Sequence, residues 1–480
     1  MAKALSDLWR TLKIKYRMKY KGKNMSKQRE LCSIIILSFN QVNYTKQCLE
    51  SIRKHTDYPY EIIMIDNASD QETITYLEEQ KDIVLIKNKI NKGFAGGCNQ
   101  GMELAKGNYL LLLNNDTIVT KNWLSNMVKL MESDPEIAMV GPLTNSTVGK
   151  QMIAVPYGED MVEMQRFAEI LSSDNHKPWR TLRLVAFCLL IHRSLIEEIG
   201  MFDETFQVGN YEDDDFNLRA VIAGKKFYIC RNSFIHHFMN ISFNKNNLPR
   251  EQIMCKNKLI LEKKWDYMNW NHYAAFNTWL LQEVIDHRGM NILHIGCGLG
   301  TLAIELKDRN SEYYITGVED HPIRKMIAKN FVDDLYEWDD KLSFIDQIKN
   351  KYFDTLIIEC MLEKSGIILL EKIKPLLNVN TQLLLRVFNV RHITTIERII
   401  SGEVEGNLLC ASSDEFLYYF DKDFKIMLEE LGYHVIEEME VRKSLSIRQE
   451  KLMKKFEDDS CYSEDGRIYN RIYSLKLLNK

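Results

Sequence analysis

Four uninterrupted apolar runs of strand length, SIIIL (33–37), EIIMID (61–66), IVLI (83–86) and NYLLLLN (108–114), constrain the fold more than any other feature of the sequence. A strand with one wet face alternates apolar and polar residues, whereas a strand covered on both faces stays apolar throughout. Between the first two runs lies NYTKQCLESIRKH, where Leu49 and Ile52 recur at helical spacing behind Asn43 as a cap. Strand, helix and strand in that order begin a βαβ arrangement, so the class is α/β with a mostly parallel sheet. The patterning continues through LRLVAFCLLIHRSLIEEIGMFDETF (182–206), YEDDDFNLRAVIAGKKFYI (211–229) and SFIHHF (233–238) to about Trp270.

It then restarts. NILHIGCGLG (291–300) is a strand running into a glycine-rich turn, followed by YYITGVED (313–320), FDTLIIE (353–359) and QLLLRVF (382–388). The expected organisation is a basic N-terminal extension over 1–30, one α/β domain over 31–265, a linker over 266–288, and a second α/β domain over 289–480. A chain of 480 residues has room for two such cores.

Composition adds exclusions. A net charge of −4 over this length gives no global argument for nucleic-acid binding. No apolar run approaches the ~18–20 residues that span a bilayer, and the N-terminus has no signal-peptide apolar core. The ten cysteines are scattered singly with no CxxC pair, which argues against a zinc site and fits a reducing cytoplasm. Basic residues from Lys13 to Arg29 crowd before the first strand. Two readings stand for them: peripheral contact with anionic lipid or an acidic partner, and, more simply, a solvated extension.

In open α/β sheets, ligands collect at the carboxyl ends of the strands. Here those ends carry Ser38-Phe39-Asn40, then Asp66-Asn67-Ala68-Ser69-Asp70, then Asn91-Lys92-Gly93-Phe94-Ala95-Gly96-Gly97-Cys98-Asn99, then Asn114-Asn115-Asp116. Asp and Asn after a strand are ordinary turn residues, and the glycines could either make a tight turn or let backbone N–H groups approach a diphosphate. A sheet with a purely structural role has no need of four polar ends in succession.

The strings IIILSFN, IIMIDNASD, NKGFAGGCNQG, YLLLLNNDT, FCLLIHRSLIEEIGMFDETF and NYEDDDFNLRA, in this order, resemble a family 2 glycosyltransferase of GT-A fold over about half the chain. The resemblance implies an inverting enzyme that moves a sugar from a nucleotide diphosphate to a hydroxyl. Asp116 takes the last position of a DXD motif and with it a Mg²⁺ or Mn²⁺ ion, while Asn114 stands where the fuller motif has Asp. A histidine at about this distance after the acidic cluster is a second ligand in similar enzymes, which points to His236, with His237 adjacent. Asp213 is implied as general base, paired with Glu212. Asp214 is read as a helix cap, Asp215 stays open between cap and active acid, and Arg219 is an i,i+4 partner of Asp215. Phe39 and Asp66 are implied at the nucleotide base, which favours UDP or dTDP donors. Ser38, Asn40, Asn67, Asn91, Gly93, Phe94, Asn99 and Asn115 complete the expected donor site.

The second domain resembles a class I methyltransferase through HIGCGLG and the acid about twenty residues on: Gly296, Gly298, Gly300 and Glu319 would meet S-adenosylmethionine. Three departures point to a degenerate domain that positions an acceptor or builds a homo-oligomer. His294 replaces an acid, Leu362-Glu363-Lys364 replaces LEH, and Asn378-Val379-Asn380 replaces glycines. The alternative is a bifunctional glycosyltransferase and methyltransferase. Similar fusions act on bacterial surface glycans and on flagellin, so the expected acceptor is a protein or surface-glycan hydroxyl.

Overall fold

A computed structural model describes residues 31–238 except 159 and 175, together with 250–266, 290–359, 364–378, 380–388, 421–442 and 468–477. The basic segment 1–30, most of the expected linker and Leu362-Glu363 lie outside the described residues. The chain divides into two compact units, Met1–Phe276 and Asn277–Lys480.

In the first unit the four apolar runs are β1 (Cys32–Ser38), β2 (Tyr60–Asp66), β3 (Ile83–Lys87) and β4 (Tyr109–Asn114). They are followed by β5 (Thr117–Val119), β6 (Ile137–Thr144), β7 (Trp179–Thr181), β8 (Cys188–His192) and β9 (Lys226–His237). The helices are α1 (Val42–His55), α2 (Gln71–Glu78), α3 (Gly93–Leu104), α4 (Trp123–Glu132), α5 (Met161–Ser173), α6 (Arg193–Ile199), α7 (Glu212–Ile222) and α8 (Arg250–Lys264). Among the described residues the sheet order is β3-β2-β1-β4-β8-β6-β9-β5, with β7 paired to β9. β1 to β4 are mutually parallel, β8 runs against β4, and β5 runs against β9, so the sheet is mixed.

The uninterrupted apolar runs have the reason the pattern implies. Ile34 and Ile36 pack on one face with Cys48, Leu49 and Ile52 of α1 and Trp123 and Met127 of α4. Ile35 points to the other face and is just as buried. That face receives α3 at close range. A Cβ on Gly97 would stand 2.2 Å from a Leu37 methyl, and one on Gly101 2.2 Å from Ile35 Cγ2. Much of the glycine run is therefore a packing surface for a helix on a strand. One local expectation fails: α1 begins at Val42 behind Gln41, whose left-handed backbone (φ 63°) makes the cap without a side-chain hydrogen bond. Asn43 sits inside the first turn.

The second unit contains β10 (Asn291–Ile295), β11 (Tyr314–Glu319), β12 (Asp334–Glu337), β13 (Thr355–Ile358), β14 (Gln382–Phe388), β15 (Tyr433–Arg442) and β16 (Ile468–Leu477). Its sheet order is β12-β11-β10-β13-β14-β16-β15, parallel as far as β14 and antiparallel at β16. α9 (Thr301–Arg309) follows β10 through the glycine turn, and α10 (Pro322–Ala328) follows β11. Six of the seven described cysteines are buried free thiols, and Cys255 is exposed. Among the described residues, no helix is long and apolar enough to cross a membrane.

The close approach of α3 gives a test. Alanine normally gains ~1 kcal/mol over glycine in a helix, but Gly101→Ala drives a methyl into Ile35, and overpacking costs about 1–3 kcal/mol. The net expectation is a melting temperature a few degrees below wild type by calorimetry. An unchanged or higher value would contradict the packing role.

Candidate functional site

The loops after β1, β2 and β3 are tied together by asparagines. Asn40 N–H donates to Ser69 Oγ (2.8 Å), and Asn40 Oδ1 accepts from Asp70 N–H (2.7 Å). Asn67 Nδ2 donates to Asn91 Oδ1 (2.8 Å) and the Gly93 carbonyl (3.2 Å), while its Oδ1 accepts from Lys92 N–H (2.9 Å) and Asn88 Nδ2 (3.2 Å). Asn91 Oδ1 also accepts from Gly93 N–H. Asn99 donates to the Phe202 carbonyl and Glu204, and accepts from Phe202 N–H. Three residues of the expected donor site thus make bonds within the protein. The amide groups of Asn67 and Asn99 and the amide oxygen of Asn91 brace the loops, because each meets backbone or side-chain partners brought in from 2 to 105 positions away. Gly93 and Phe94 are also committed: Phe94 N–H donates to the Val208 carbonyl (2.9 Å). Gly93 has φ 72°, and a Cβ there would stand 3.0 Å from Val208 N. Ser38, Thr45 and Asn115 form a buried chain, Ser38 Oγ to Thr45 Oγ1 (3.4 Å) and Asn115 Nδ2 to Thr45 Oγ1 (3.0 Å).

Asp66 is different. It is 1% exposed; Oδ1 accepts from Ser69 N–H (3.2 Å), and Oδ2 has no hydrogen-bond partner among the described residues. A buried carboxylate oxygen left without a donor is a standing cost that a ligand N–H would relieve. Phe39, half-buried, stands immediately before a strand-end turn that keeps Asn40 and Gln41 in left-handed backbone (φ 57° and 63°).

At the end of β4, Asp116 Oδ1 lies 3.3 Å from His237 Nε2, and Asn114 Nδ2 lies 3.4 Å from the same nitrogen. His237 Nδ1 is 2.8 Å from the Ser146 carbonyl. A carbonyl only accepts, so a ring proton sits on Nδ1, and Nε2 is the nitrogen turned toward Asp116 and Asn114. A carboxylate oxygen and an imidazole nitrogen brought together are a donor set that fits a divalent cation. His236 is turned elsewhere. Its Nδ1 meets Tyr157 OH (3.1 Å) and its ring packs edge-on against Phe238. Neighbouring residues of a strand point to opposite faces, so of the two adjacent histidines it is His237 that is brought to Asp116. Among the described residues no cluster of three or more His, Cys, Asp and Glu side chains forms a full metal cage.

The acidic run opens α7 with four carboxyl groups in its first turn, where the helix dipole favours negative charge. Their environments diverge. Asp214 pairs with Arg183 through two bonds (2.6 and 2.9 Å). Asp215, fully buried, accepts from Arg219 Nε (2.9 Å), Lys264 Nζ (2.8 Å) and Trp265 Nε1 (2.9 Å). The i,i+4 pair with Arg219 is therefore present. Neither Asp214 nor Asp215 caps the helix, because Tyr211 occupies that position with no side-chain bond, which corrects the reading of Asp214. Asp213 has no cation bonded to it: Oδ1 accepts from Asp214 N–H (2.9 Å) and Oδ2 from Ala186 N–H (3.3 Å). Burial and the Asp214 charge push its carboxyl up to about 6, against the pull of Arg183 and those two N–H groups. Burial and the charge of Asp213 push Glu212 further, well above the usual carboxylate range, and its Oε2 has no partner.

Ala186 and Phe187 join the two halves of the site. Ala186 N–H holds Asp213, while the Phe187 ring stacks on His237 (5.1 Å between centroids, 13° between planes) and its carbonyl accepts from Asn114 N–H. Arg183, Lys264, Trp265 and the Ser146 carbonyl carried no local signal in the sequence.

In the second unit, Gly296, Gly298 and Gly300 all adopt positive φ (77°, 58° and 79°) between β10 and α9. Glu319, 3% exposed, is engaged by its own surroundings. Oε2 accepts from Gly298 N–H (2.8 Å), and Oε1 accepts from Asp320 N–H, His321 N–H and Arg324. His294 Nε2 lies 3.3 Å from Glu359 Oε1, and Glu359 Oε2 accepts from Arg386 (2.8 Å). Asn378 Oδ1 accepts from Asn380 N–H and closes a turn before β14.

Residues 33–200 match the family described as "Glycosyl transferase family 2". The Bacillus subtilis (strain 168) protein described as uncharacterized glycosyltransferase YwdF is 29% identical over 197 residues, which is 39% of this chain and 67% of that protein. The O-antigen biosynthesis protein RfbC of Myxococcus xanthus is 26% identical over 284 residues, 56% of this chain and 20% of the relative. The Escherichia coli UDP-Glc:alpha-D-GlcNAc-diphosphoundecaprenol beta-1,3-glucosyltransferase WfaP is 35% identical over 107 residues, 22% of this chain and 43% of that protein. The chain thus spans two thirds of the first relative and less than half of the other two. Residues 33–200 thus carry the match to a glycosyltransferase family, and the sheet around them is a mixed α/β sheet.

The contrast between Asp213 and Asp215 is testable by stability. Asp215→Asn leaves the buried Arg219 without its counter-charge and leaves the half-buried Lys264 with Asp203 alone, costing about 3–5 kcal/mol, read as a lower denaturation midpoint. Asp213→Asn has the opposite sign. A carboxyl raised to about 6 in the fold but ordinary when unfolded loses stability as pH rises through that interval. The variant therefore melts above wild type at pH 8, with the gain shrinking toward pH 4.

Proposed function

We propose, from the premise of a family 2 glycosyltransferase domain over residues 33–200, that this protein is an inverting, metal-assisted enzyme. It moves a sugar from a UDP- or dTDP-sugar to a hydroxyl of a surface glycan or a protein, with Asp213 as general base. The observation that carries the reading is the Ala186-Phe187 junction. It couples a carboxylate tuned to about 6 to the Asp116–His237 pair on the neighbouring strand end.

The chemistry follows from the groups. The acceptor O–H gives its proton to the Asp213 carboxylate as its oxygen bonds to the anomeric carbon, and the bond from that carbon to the diphosphate breaks on the opposite face. Asp116 and His237 would hold a Mg²⁺ or Mn²⁺ ion, which when bound neutralises charge on the leaving diphosphate. Asp66 Oδ2 accepts the ring N–H of uracil or thymine, and Phe39 stacks on that ring. Glu212 stays protonated, so Asp213 does not face a second full negative charge. The UDP-Glc donor in the name of WfaP supports a UDP-sugar, and the O-antigen role in the name of RfbC supports a surface-glycan acceptor.

For the second unit we propose a methyltransferase-like fold in a helper role at the cytoplasmic site of glycan assembly. The sheet order and the single run of three positive-φ glycines support the fold. The engagement of Glu319 by Gly298 and Arg324 supports a domain that has lost its cofactor. Calorimetric titration with S-adenosylmethionine is expected to give no heat of binding. A measurable affinity would favour the bifunctional reading instead.

With UDP-GlcNAc, UDP-glucose and dTDP-rhamnose as donors, release of nucleoside diphosphate is expected to need added Mn²⁺ or Mg²⁺ and to stop with a chelator. Asp213→Asn is expected to lower kcat by about 10²–10⁴-fold. The base must be ionised, so wild-type turnover falls tenfold per pH unit below about 6. Turnover that survives Asp213→Asn sinks the assignment, and mass spectrometry of candidate acceptors identifies the product.

A further inference from the structure

The turn that delivers Glu212 and Asp213 is built from unfavourable backbone. Val208, Asn210 and Tyr211 have φ 66°, 77° and 74°, with Gly209 between them at 154°. A β-branched residue at positive φ is a genuine outlier, and such a run persists only where the surroundings over-determine it. Those surroundings are identifiable. Asn257 of α8, with no exposed surface, donates through Nδ2 to the carbonyls of Gln207 (3.0 Å), Gly209 (2.9 Å) and Asn210 (3.2 Å). Three carbonyls accept and do not donate, which fixes the amide with its nitrogen toward the turn. Beside it, Lys256 Nζ donates to Gln207 Oε1 (2.9 Å). From the opposite side Phe94 N–H holds the Val208 carbonyl. At its far end α8 supplies Lys264, and the residue after it, Trp265, joins it on Asp215 of α7. The same helix therefore grips both the turn before the acidic pair and the helix behind it.

We propose that Asn257 is a positioning residue for the transfer reaction. By satisfying three carbonyls of the Gln207–Asn210 turn, it fixes the backbone that presents the Asp213 carboxylate to the acceptor hydroxyl. The inference rests on the reading of Asp213 as base. It extends the site to a helix beyond residues 33–200, the stretch that matches the family.

Asn257→Leu keeps the side-chain volume and removes both donors. In the full chain, with Mn²⁺ and the donor sugar that wild type turns over, kcat is expected to fall about 100-fold, as a displacement of order 1 Å does to a catalytic group. The donor KM should change by less than about threefold, since Asp66 and the Asp116–His237 pair lie on other strand ends. If Asn257 acts through Asp213, adding Asn257→Leu to Asp213→Asn lowers kcat no further. Asn257→Ser, with one hydroxyl donor, is expected to fall between wild type and Asn257→Leu, and it serves if the leucine variant does not fold. A folded variant of either kind with wild-type kcat overturns the proposal, as does a multiplicative loss on the Asp213→Asn background. Those results differ from failure of the underlying reading, in which Asp213→Asn itself keeps its turnover.

Discussion

The carboxylate of Asp215 is the fixed point on which the candidate site depends. It has no exposed surface, and its donors come from α7 through Arg219 and from the end of α8 through Lys264 and Trp265. A buried carboxylate stripped of a partner costs several kcal/mol, so α8 cannot separate from α7 without taking two of the three donors from that charge. Arg219 extends the bond inward, with its two terminal nitrogens on the carbonyls of Ile199 and Met201 after α6. Asp203 then meets Lys264 from the same loop. The result is one rigid piece of three helices, and the Glu212-Asp213 pair rides at its leading edge.

That rigidity permits an arrangement of acids that a softer frame would relax. Four adjacent carboxyl groups repel one another, and each finds a different counterweight. Asp215 has two cations, Asp214 has the Arg183 fork, Asp213 has two backbone N–H groups, and Glu212 has an oxygen with no partner at all. Asp214 and Asp215 are held by cations, burial and the Asp213 charge push Glu212 well above the usual carboxylate range, and burial with the Asp214 charge pushes Asp213 up to about 6. Environments that push neighbouring carboxyl groups apart assign the acid and base roles.

The architecture was legible in the sequence for a physical reason. Strands covered on both faces stay largely apolar, so apolar runs alone bounded β1, β2 and β4 to within a residue or two; β3, at the sheet edge with Val84 exposed, carries such a run without that cover. The site was half legible. Strand ends marked where polar groups gather, but an asparagine that braces a loop and one that meets a ligand look the same until its partners are known. For Asn99 those partners are Phe202 and Glu204, more than a hundred positions away. Parity decided His237 over His236, and parity depends on register. The β6–β9 pairing slips between Pro142 and Leu143, a few residues before the histidines pair with β5. No residue pattern announces that slip. Arg183, Asn257 and Lys264 were silent for the same reason as Asn99: their roles exist only in contact.

The two glycine-rich turns of the chain show why such a motif cannot be read from its glycines. In the first unit Gly97 and Gly101 serve the approach of α3 to β1, and the neighbouring strand ends at Asp66, which has one oxygen without a donor among the described residues. In the second unit Gly296, Gly298 and Gly300 do hold the positive φ that a nucleotide turn uses, yet the acid beside them is already engaged. A ribose hydroxyl arriving at Glu319 would compete with the Gly298 N–H on one oxygen and with Arg324 and two backbone N–H groups on the other. Exchanging made hydrogen bonds for new ones gains little, whereas satisfying an empty buried acceptor gains the full desolvation cost of that atom. The unsatisfied acceptor is what separates the two acids: among the described residues Asp66 keeps one and Glu319 keeps none.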